Sequence, residues 1–166
     1  MTQEQKDKRF MQIALNEAEK AFLKDEVPIG AICVIDNEII SCNHNRVITL
    51  NDATAHAEVL VLQDAMKKIN NYRTKNLHLY ITKEPCCMCA GAIIHARVDR
   101  VIIGTMDKKS GAALSNFQIL KNDILNHKPK ITTNILADKS KNILQLFFQQ
   151  KRKNIIKKHH NKSSFL

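Results

Sequence analysis

The residues able to do chemistry concentrate in two short segments, TAHAE at 54–58 and EPCCMCAG at 84–91, the second holding three of the five cysteines. Cys86 and Cys89 are three apart, so a helix beginning there puts both thiols on one side of its first turn. Cys87 and Met88 are rotated off that side by about 100° or more, and Cys87 is expected to be a small buried hydrophobe, the usual fate of a free cysteine. His56 adds a third donor of the kind zinc prefers. Three protein donors leave one tetrahedral position to water, which is the pattern of a catalytic zinc rather than a structural one. His95 lies about 9 Å further along such a helix and Cys87 points away, so neither serves as a fourth ligand. Residues two apart do not share a helix face, so Glu58 can join His56 only at a helix start, with the metal just beyond the helix N-terminus. There the positive end of the helix dipole and the free N–H groups favour thiolates. Zinc brings the pKa of its water to about 7, and a carboxylate beside it can take that proton and return it to a substrate.

Each piece alone is ambiguous. Cys-x-x-Cys also marks a redox pair or half of a structural zinc site, and a single histidine is more often a satisfied surface or core residue. The joint order His-x-Glu, then Pro-Cys-x-x-Cys, is far more specific, being the signature of zinc-dependent nucleobase deaminases.

Regular elements must bring these segments together. Phe10, Ile13, Ala14, Ala18, Ala21 and Phe22 recur at helical spacing, which predicts a helix over 5–24. Ala31 to Asp36 and Glu38 to Cys42 flank a short Asp36-Asn37 turn and read as a hairpin. The polar stretch NHNRVITLNDAT reads as a loop, and Ala57, Leu60, Val61, Ala65 and Ile69 trace one face of a second helix starting near 54–56. Leu77 to Thr82 reads as a strand, CMCAGAIIHAR as a helix and Arg100 to Gly104 as a fourth strand. Residues 105–130 are irregular, with Gly111 and Pro129 as breakers, before a fifth strand at 131–135 and a helix from about Asp138. Alternating strands and helices predict an α/β sheet covered on both faces. Neither an internal repeat nor a linker divides the chain, so residues 1–150 are expected to form one domain and 151–166 a basic helix end or tail.

Composition narrows the class. With 166 residues, 44% hydrophobic and 25% charged, the chain has the make-up of one soluble domain. It contains no run approaching the roughly 18 apolar residues of a membrane span, and MTQEQKDKRF lacks the features of a secretory signal. A cytoplasmic location is expected, where close cysteines serve a metal or redox chemistry rather than disulfides. The net charge of +10 suits a polyanionic partner, although a composition rich in Lys, Asn and Ile produces a surplus without selection for binding. Much of the excess sits in KRKNIIKKHH at 151–160, directly after Phe147 and Phe148.

The chain resembles the bacterial tRNA-specific adenosine deaminases almost from end to end. The resemblance is carried by EVPIGA at 26–31, NR at 45–46, TAHAE, EPCCMCAGAIIHARVDRV at 84–101, and the spaced set Gly104, Asp107, Lys109, Gly111 and Ala112. It implies a three-layer α/β/α cytidine-deaminase-like fold with a central five-stranded mixed sheet, and a homodimer whose interface helps build the active site. The implied reaction is hydrolytic deamination of the wobble adenosine of a tRNA anticodon stem-loop, in an arginine tRNA, to inosine. By position, His56, Cys86 and Cys89 would hold one Zn2+ per subunit and Glu58 would shuttle protons. Asn45 would hydrogen-bond the flipped base, Asp107 would lie in the loop that meets neighbouring nucleotides, and Lys108, Lys109 and the last helix would hold phosphates. Cys87 stands where the family more commonly carries an aliphatic residue, and the tail after Arg152 follows no family pattern.

Two other readings use the same residues. A deaminase of free cytosine, cytidine or guanine needs the same metal, water and carboxylate, whereas a non-enzymatic zinc-containing RNA-binding module predicts a closed four-ligand site and leaves Glu58 without a role.

Overall fold

A computed structural model describes residues 1–73 and 75–163, with the side chains of 157–163 left aside. The order is α1 (Gln3–Leu23), β1 (Gly30–Ile35), β2 (Glu38–His44), α2 (Val47–Leu50), α3 (Ala57–Ile69), β3 (His78–Lys83), α4 (Cys87–His95), β4 (Arg100–Thr105), a 3-10 turn (Ile119–Lys121), β5 (Lys130–Thr132) and α5 (Ala137–Ser163).

Thr2 and Gln5 start α1 as a reciprocal capping box, and its apolar stripe of Phe10, Met11, Ala14, Ala18 and Ala21 is buried. That stripe lies very close to β1. A Cβ added to Gly30 would sit 2.0 Å from the Ala14 carbonyl oxygen, so only glycine lets the helix dock at this point. β1 is buried from Gly30 to Val34, as an inner strand covered on both faces must be. Asp36 and Asn37, with φ of 49° and 65°, make the two-residue left-handed turn that matches strand twist in a hairpin.

The five strands run β2-β1-β3-β4-β5. β1 is antiparallel to β2 and β3, while β3, β4 and β5 are parallel. The parallel β3–β4 pair needs a crossover, and α4 supplies it. Helices cover both faces, giving one core of α3, α4 and sheet residues such as Val61, Leu79, Ile93 and Val101. The second core is built from Phe10, Met11, Ile32, Tyr80 and Ile102. Each fully buried side chain of this size contributes about 1.5–3 kcal/mol by leaving water. The architecture is the expected three-layer α/β/α fold with a mixed five-stranded sheet.

Register places the site. Gly30 faces His44, Ala31 faces Ile81, and Lys83 faces Thr105. The segments following β2, β3 and β4 therefore all leave one edge of the sheet, bringing residues 45–56, 84–86 and 106–118 to a common end.

Three details differ from the sequence expectation. The polar stretch after β2 contains α2, a single helical turn stabilised by the buried Glu26 carboxylate, which accepts the Thr49 N–H at 2.6 Å. β5 is Lys130–Thr132 rather than 131–135, with Asn134 inside the expected span at a φ of 64°, and a left-handed residue cannot continue a strand. A 3-10 turn interrupts the irregular 105–130 region. No described helix is long and apolar enough to cross a membrane. α5 is continuous through residue 150.

Candidate active site and metal centre

Two helix starts point at each other across this edge. His56 is the N-cap of α3, with ψ of 150°, and Cys86 is the N-cap of α4, with ψ of 176°. Extended N-cap geometry turns a side chain back over the helix end, so each residue projects over the free N–H groups of its own helix. Asn45, just past β2, accepts the Ala57 N–H on its Oδ1 at 2.8 Å. This bond fixes where α3 begins and hence where His56 stands. On the approach to α3, Asp52 accepts the Thr54 N–H and hydroxyl at 2.8 and 2.7 Å.

His56 Nδ1 lies 3.7 Å from Cys86 Sγ and 3.5 Å from Cys89 Sγ, and the three donor atoms fall within 4.8 Å of one another. Tetrahedral zinc with its usual bond lengths would separate a nitrogen from a sulfur ligand by about 3.6 Å, so the residues fit such an ion. Electrostatics agrees. The Cys89 thiol and the His56 imidazole lower Cys86 to about 3, while that thiolate together with burial pushes Cys89 well above the usual thiol range. Two thiols this close share one negative charge, and a divalent cation lets both ionise. The hydrogen bond to Cys86 likewise holds His56 above the ordinary imidazole value.

Glu58, in the first turn of α3, is 3% exposed, and its Oε2 has no hydrogen-bond partner among the described residues. Burial raises its pKa. A buried carboxylate oxygen without a donor costs about 1–3 kcal/mol or more, a cost that a bound ligand would remove.

Asp107 and Lys109 arrive on the loop after β4. The Asp107 carboxylate accepts the Lys109 and Ser110 N–H groups and the Ser110 hydroxyl, and pairs with Lys83 at 2.6 Å. Burial opposes its charge, but these donors outweigh it and hold Asp107 far below the usual carboxylate range. The loop and α5 enclose an open groove of about 910 Å³ whose lining includes Lys83, Lys108, Lys109, Lys141, Phe148 and Arg152. The structure thus brings His56, Glu58, Cys86 and Cys89 together, sets Asn45 behind the start of α3, and places Asp107 and Lys109 on the loop that lines the basic groove.

Two expectations are corrected. Cys87 is exposed rather than buried, because at the first helical position of α4 it points away from the sheet. His44 is the last residue of β2 rather than a loop residue, buried with its Nδ1 3.0 Å from Glu17 Oε2. The basic residues at 157–160 have side chains outside the described residues.

Sequence reasoning missed two anchors, Glu26 and Glu84, at 1% and 2% exposure. In each, burial favours the neutral acid and is outweighed by hydrogen bonds, from the Thr49 and Ile48 N–H groups in Glu26 and from the Ser115 hydroxyl and loop N–H groups in Glu84. Their only sequence signal is position, an acid just before Val27-Pro28 or Pro85, and nothing in residue type separates a buried acid from a solvated one.

Residues 5–152 match the family described as MafB19-like deaminase. The tRNA-specific adenosine deaminase of Aquifex aeolicus (strain VF5) is 44% identical over 147 residues, covering 89% of this chain and 97% of its own. That of Bacillus subtilis (strain 168) is 40% identical over 147 residues, covering 89% and 91%. The chain belongs to the tRNA-specific adenosine deaminases. A solved tRNA:A34 deaminase, studied for A-to-I editing at the wobble position, superposes on it with a TM-score of 0.80 at 40% identity, over 82% of this chain and 99% of that one. The guanine deaminase of Nitrosomonas europaea, at 20% identity and a TM-score of 0.73 over 84% and 83%, shares the fold. Within this deaminase, the three-donor cluster could hold a metal ion, and the Asp107 loop that lines the basic groove is bonded to Glu84, two residues before Cys86.

Proposed function

We propose that this chain deaminates adenosine to inosine at the wobble position of a tRNA anticodon. The observation carrying this reading is the cluster of His56, Cys86 and Cys89 beside Glu58, a buried carboxylate with an oxygen left without a partner. Its family and the basic groove supply the substrate class.

The metal we assign is zinc, one ion per chain, held by His56 Nδ1, Cys86 Sγ and Cys89 Sγ. Zinc supplies Lewis acidity that brings the pKa of a water to about 7. Glu58 takes a proton from the attacking water as oxygen bonds to adenine C6, and delivers it to N1. It then takes the remaining proton from the C6 hydroxyl and hands it to the departing amine as the C6–N bond breaks, so water and adenosine become inosine and ammonia. Burial suits Glu58 to the task by raising its pKa toward the working range of a proton shuttle. Asn45 has its carbonyl oxygen committed to Ala57, so its amide end is the one that recognises the base. Asp107, Lys108 and Lys109 meet the flanking nucleotides and phosphates, together with α5.

The target base must leave its stack, which costs less in an unpaired anticodon loop than in a duplex. On the family resemblance the tRNA is an arginine tRNA and the setting cytoplasmic. A homodimer is supported by a surface recess of about 640 Å³ between α3 and α4, lined by Val59, Leu62, Met66, Tyr72 and Ala92, with Tyr72 exposed in the single chain. Residues 1–150 are assigned as the deaminase domain and 151–166 as its basic extension.

The test is to incubate purified protein of known zinc content with an anticodon stem-loop bearing adenosine at the wobble position and, separately, with cytidine, cytosine and guanine. Inosine forms in the RNA and the free compounds are untouched. Turnover of the free compounds but not the RNA would make this a nucleoside or base deaminase instead.

A further inference from the structure

We propose that Glu84 is a positioning residue: its carboxylate fixes the backbone of the 105–115 loop to the turn carrying Cys86, and so sets where Asp107 and Lys109 meet the nucleotides flanking the target base. The inference rests on the reading above that this loop contacts RNA.

The argument begins where the sheet ends. β3 and β4 pair in parallel as far as Lys83 and Thr105, after which the loop's N–H groups lose their ladder partners and, being partly buried, need acceptors. Glu84 provides them. Its Oε2 accepts the Asp107 N–H at 2.8 Å and the Ser115 hydroxyl at 2.5 Å, and its Oε1 accepts the N–H groups of Leu114 and Ser115 at 2.9 Å each. Four donors use about the full capacity of a carboxylate. The flanking backbone tightens the grip, with the Glu84 N–H bonded to the Thr105 oxygen and the Ala112 N–H to the Pro85 oxygen, both at 2.8 Å. This arrangement restricts which residues the loop can hold. A Cβ on Gly111 would lie 2.3 Å from Glu84 Oε2 and 2.4 Å from the Asp107 carbonyl oxygen, so glycine alone lets the loop close over the carboxylate.

Two consecutive residues therefore hold Asp107 in different ways. Lys83 pairs with its side chain and tolerates movement, whereas Glu84 fixes its backbone and hence the direction of the Asp107–Ser110 turn, which Asp107 itself caps. Because Glu84 is two residues before Cys86, the metal turn and the recognition loop become one rigid piece. Glutamine cannot replace it fully, since its amide nitrogen donates and would confront the Asp107 N–H or the two N–H groups at Oε1.

The experiment compares Glu84→Gln, Ser115→Ala and wild type as zinc-loaded full chains, measuring kcat and KM on the anticodon stem-loop, zinc content, and amide hydrogen exchange. In Glu84→Gln, KM rises about tenfold while kcat changes much less, as loss of aim rather than of chemistry requires. Zinc stays at one per chain, and the amides of Asp107, Leu114 and Ser115 exchange faster while those of Cys89 and Ala90 do not. Ser115→Ala, which removes one donor, shifts KM and exchange in the same direction by less, and it carries the test should Glu84→Gln fail to fold. Unchanged KM with reduced kcat or zinc would overturn the proposal, as would exchange that quickens equally in α4. An inactive wild type would instead refute the RNA reading, and the exchange data would still decide whether Glu84 holds the loop.

Discussion

Two of the buried polar clusters among the described residues differ in completeness. One is built around Asp7 of α1, which accepts hydrogen bonds from Gln3 and the Tyr80 hydroxyl and a two-pronged pair from Arg100 at 2.9 and 2.7 Å, while Arg100 also reaches Thr132. No buried polar atom in it lacks a partner among the described residues. The other, at the sheet edge where α3 and α4 begin, sets two thiols so close that one is pushed down and the other up, and leaves a carboxylate oxygen without a partner among the described residues. The first is finished by the fold and ties α1 to β3, β4 and β5. The second is a set of demands that the fold creates without meeting, which is what a binding site has to be.

The sharpest way to break the contrast is to remove a group from the unfinished cluster. Glu58→Gln should lower kcat on the anticodon stem-loop by about 10²–10⁴-fold, the range for a positioned proton shuttle, with zinc still at one per chain. Thermal stability should hold or rise, because a buried carboxylate whose Oε2 lacks a partner has been replaced by a neutral amide; a large fall in Tm would mean that Glu58 supports the fold. Cys86→Ser should lose both zinc and activity, whereas Cys87→Ser, at an exposed neighbour, should keep both. Zinc analysis alongside activity distinguishes them.

Damage to the finished cluster should read out the other way, in stability rather than chemistry. Asp7→Asn leaves Arg100 partly buried without its counter-charge and is expected to cost about 3–5 kcal/mol, measured by urea unfolding, with kcat per folded molecule retained. Tyr80→Phe removes one hydrogen bond and should cost about 1 kcal/mol. The pH dependence follows from the Asp7 shift. Burial acts to raise its pKa, but hydrogen bonds from Arg100, Gln3 and Tyr80 outweigh it and the folded value is depressed. A depressed carboxylate contributes stability that is present above its unfolded pKa of about 3.9 and lost as pH falls through the folded value. Wild type should therefore lose stability below about pH 4 more steeply than Asp7→Asn does.

The same contrast explains what could be read from the sequence. His56, Cys86 and Cys89 were legible because a metal demands particular atoms, and because each lies in the first turn of a helix whose start is marked locally, by Pro85 before α4 and by the apolar period beginning at Ala57 in α3. The strands were legible from their apolar runs. Glu26, Glu84 and Asp7 were not, since their partners are backbone N–H groups or residues as distant as Arg100, and such pairings exist only once the sheet order is known. Cys87 was misplaced for a related reason: the rotation between adjacent helical residues says that it leaves the metal face, but whether the new direction is core or solvent depends on where α4 sits. The early stop of β5 also goes with a left-handed residue, Asn134, whose conformation the apolar pattern around it does not announce.

The smallest effect belongs to the end of α5, where finished and unfinished charges alternate along one helix. Lys151 is spoken for, pairing with Asp25 at the end of α1 and lying 5.4 Å over the Phe147 ring, while Arg152 lines the basic groove beside the loop of Asp107. Residues 151–166 carry five lysines and one arginine and no acidic residue. Each of these cations that neutralises a phosphate releases a counterion and adds about 0.7 to the slope of log affinity against log salt for single-stranded RNA. Deleting 151–166 should therefore weaken stem-loop binding a few-fold at low salt and flatten the slope by about one unit, with kcat at saturating RNA preserved, because the metal cluster and Glu58 lie on other elements. Affinity unchanged at low salt would mean that the tail charges are solvated and that Arg152 contributes nothing to the groove. A loss of affinity without a change of slope would assign the effect to Lys151 and its hold on α1, a finished contact, rather than to free charge meeting phosphate.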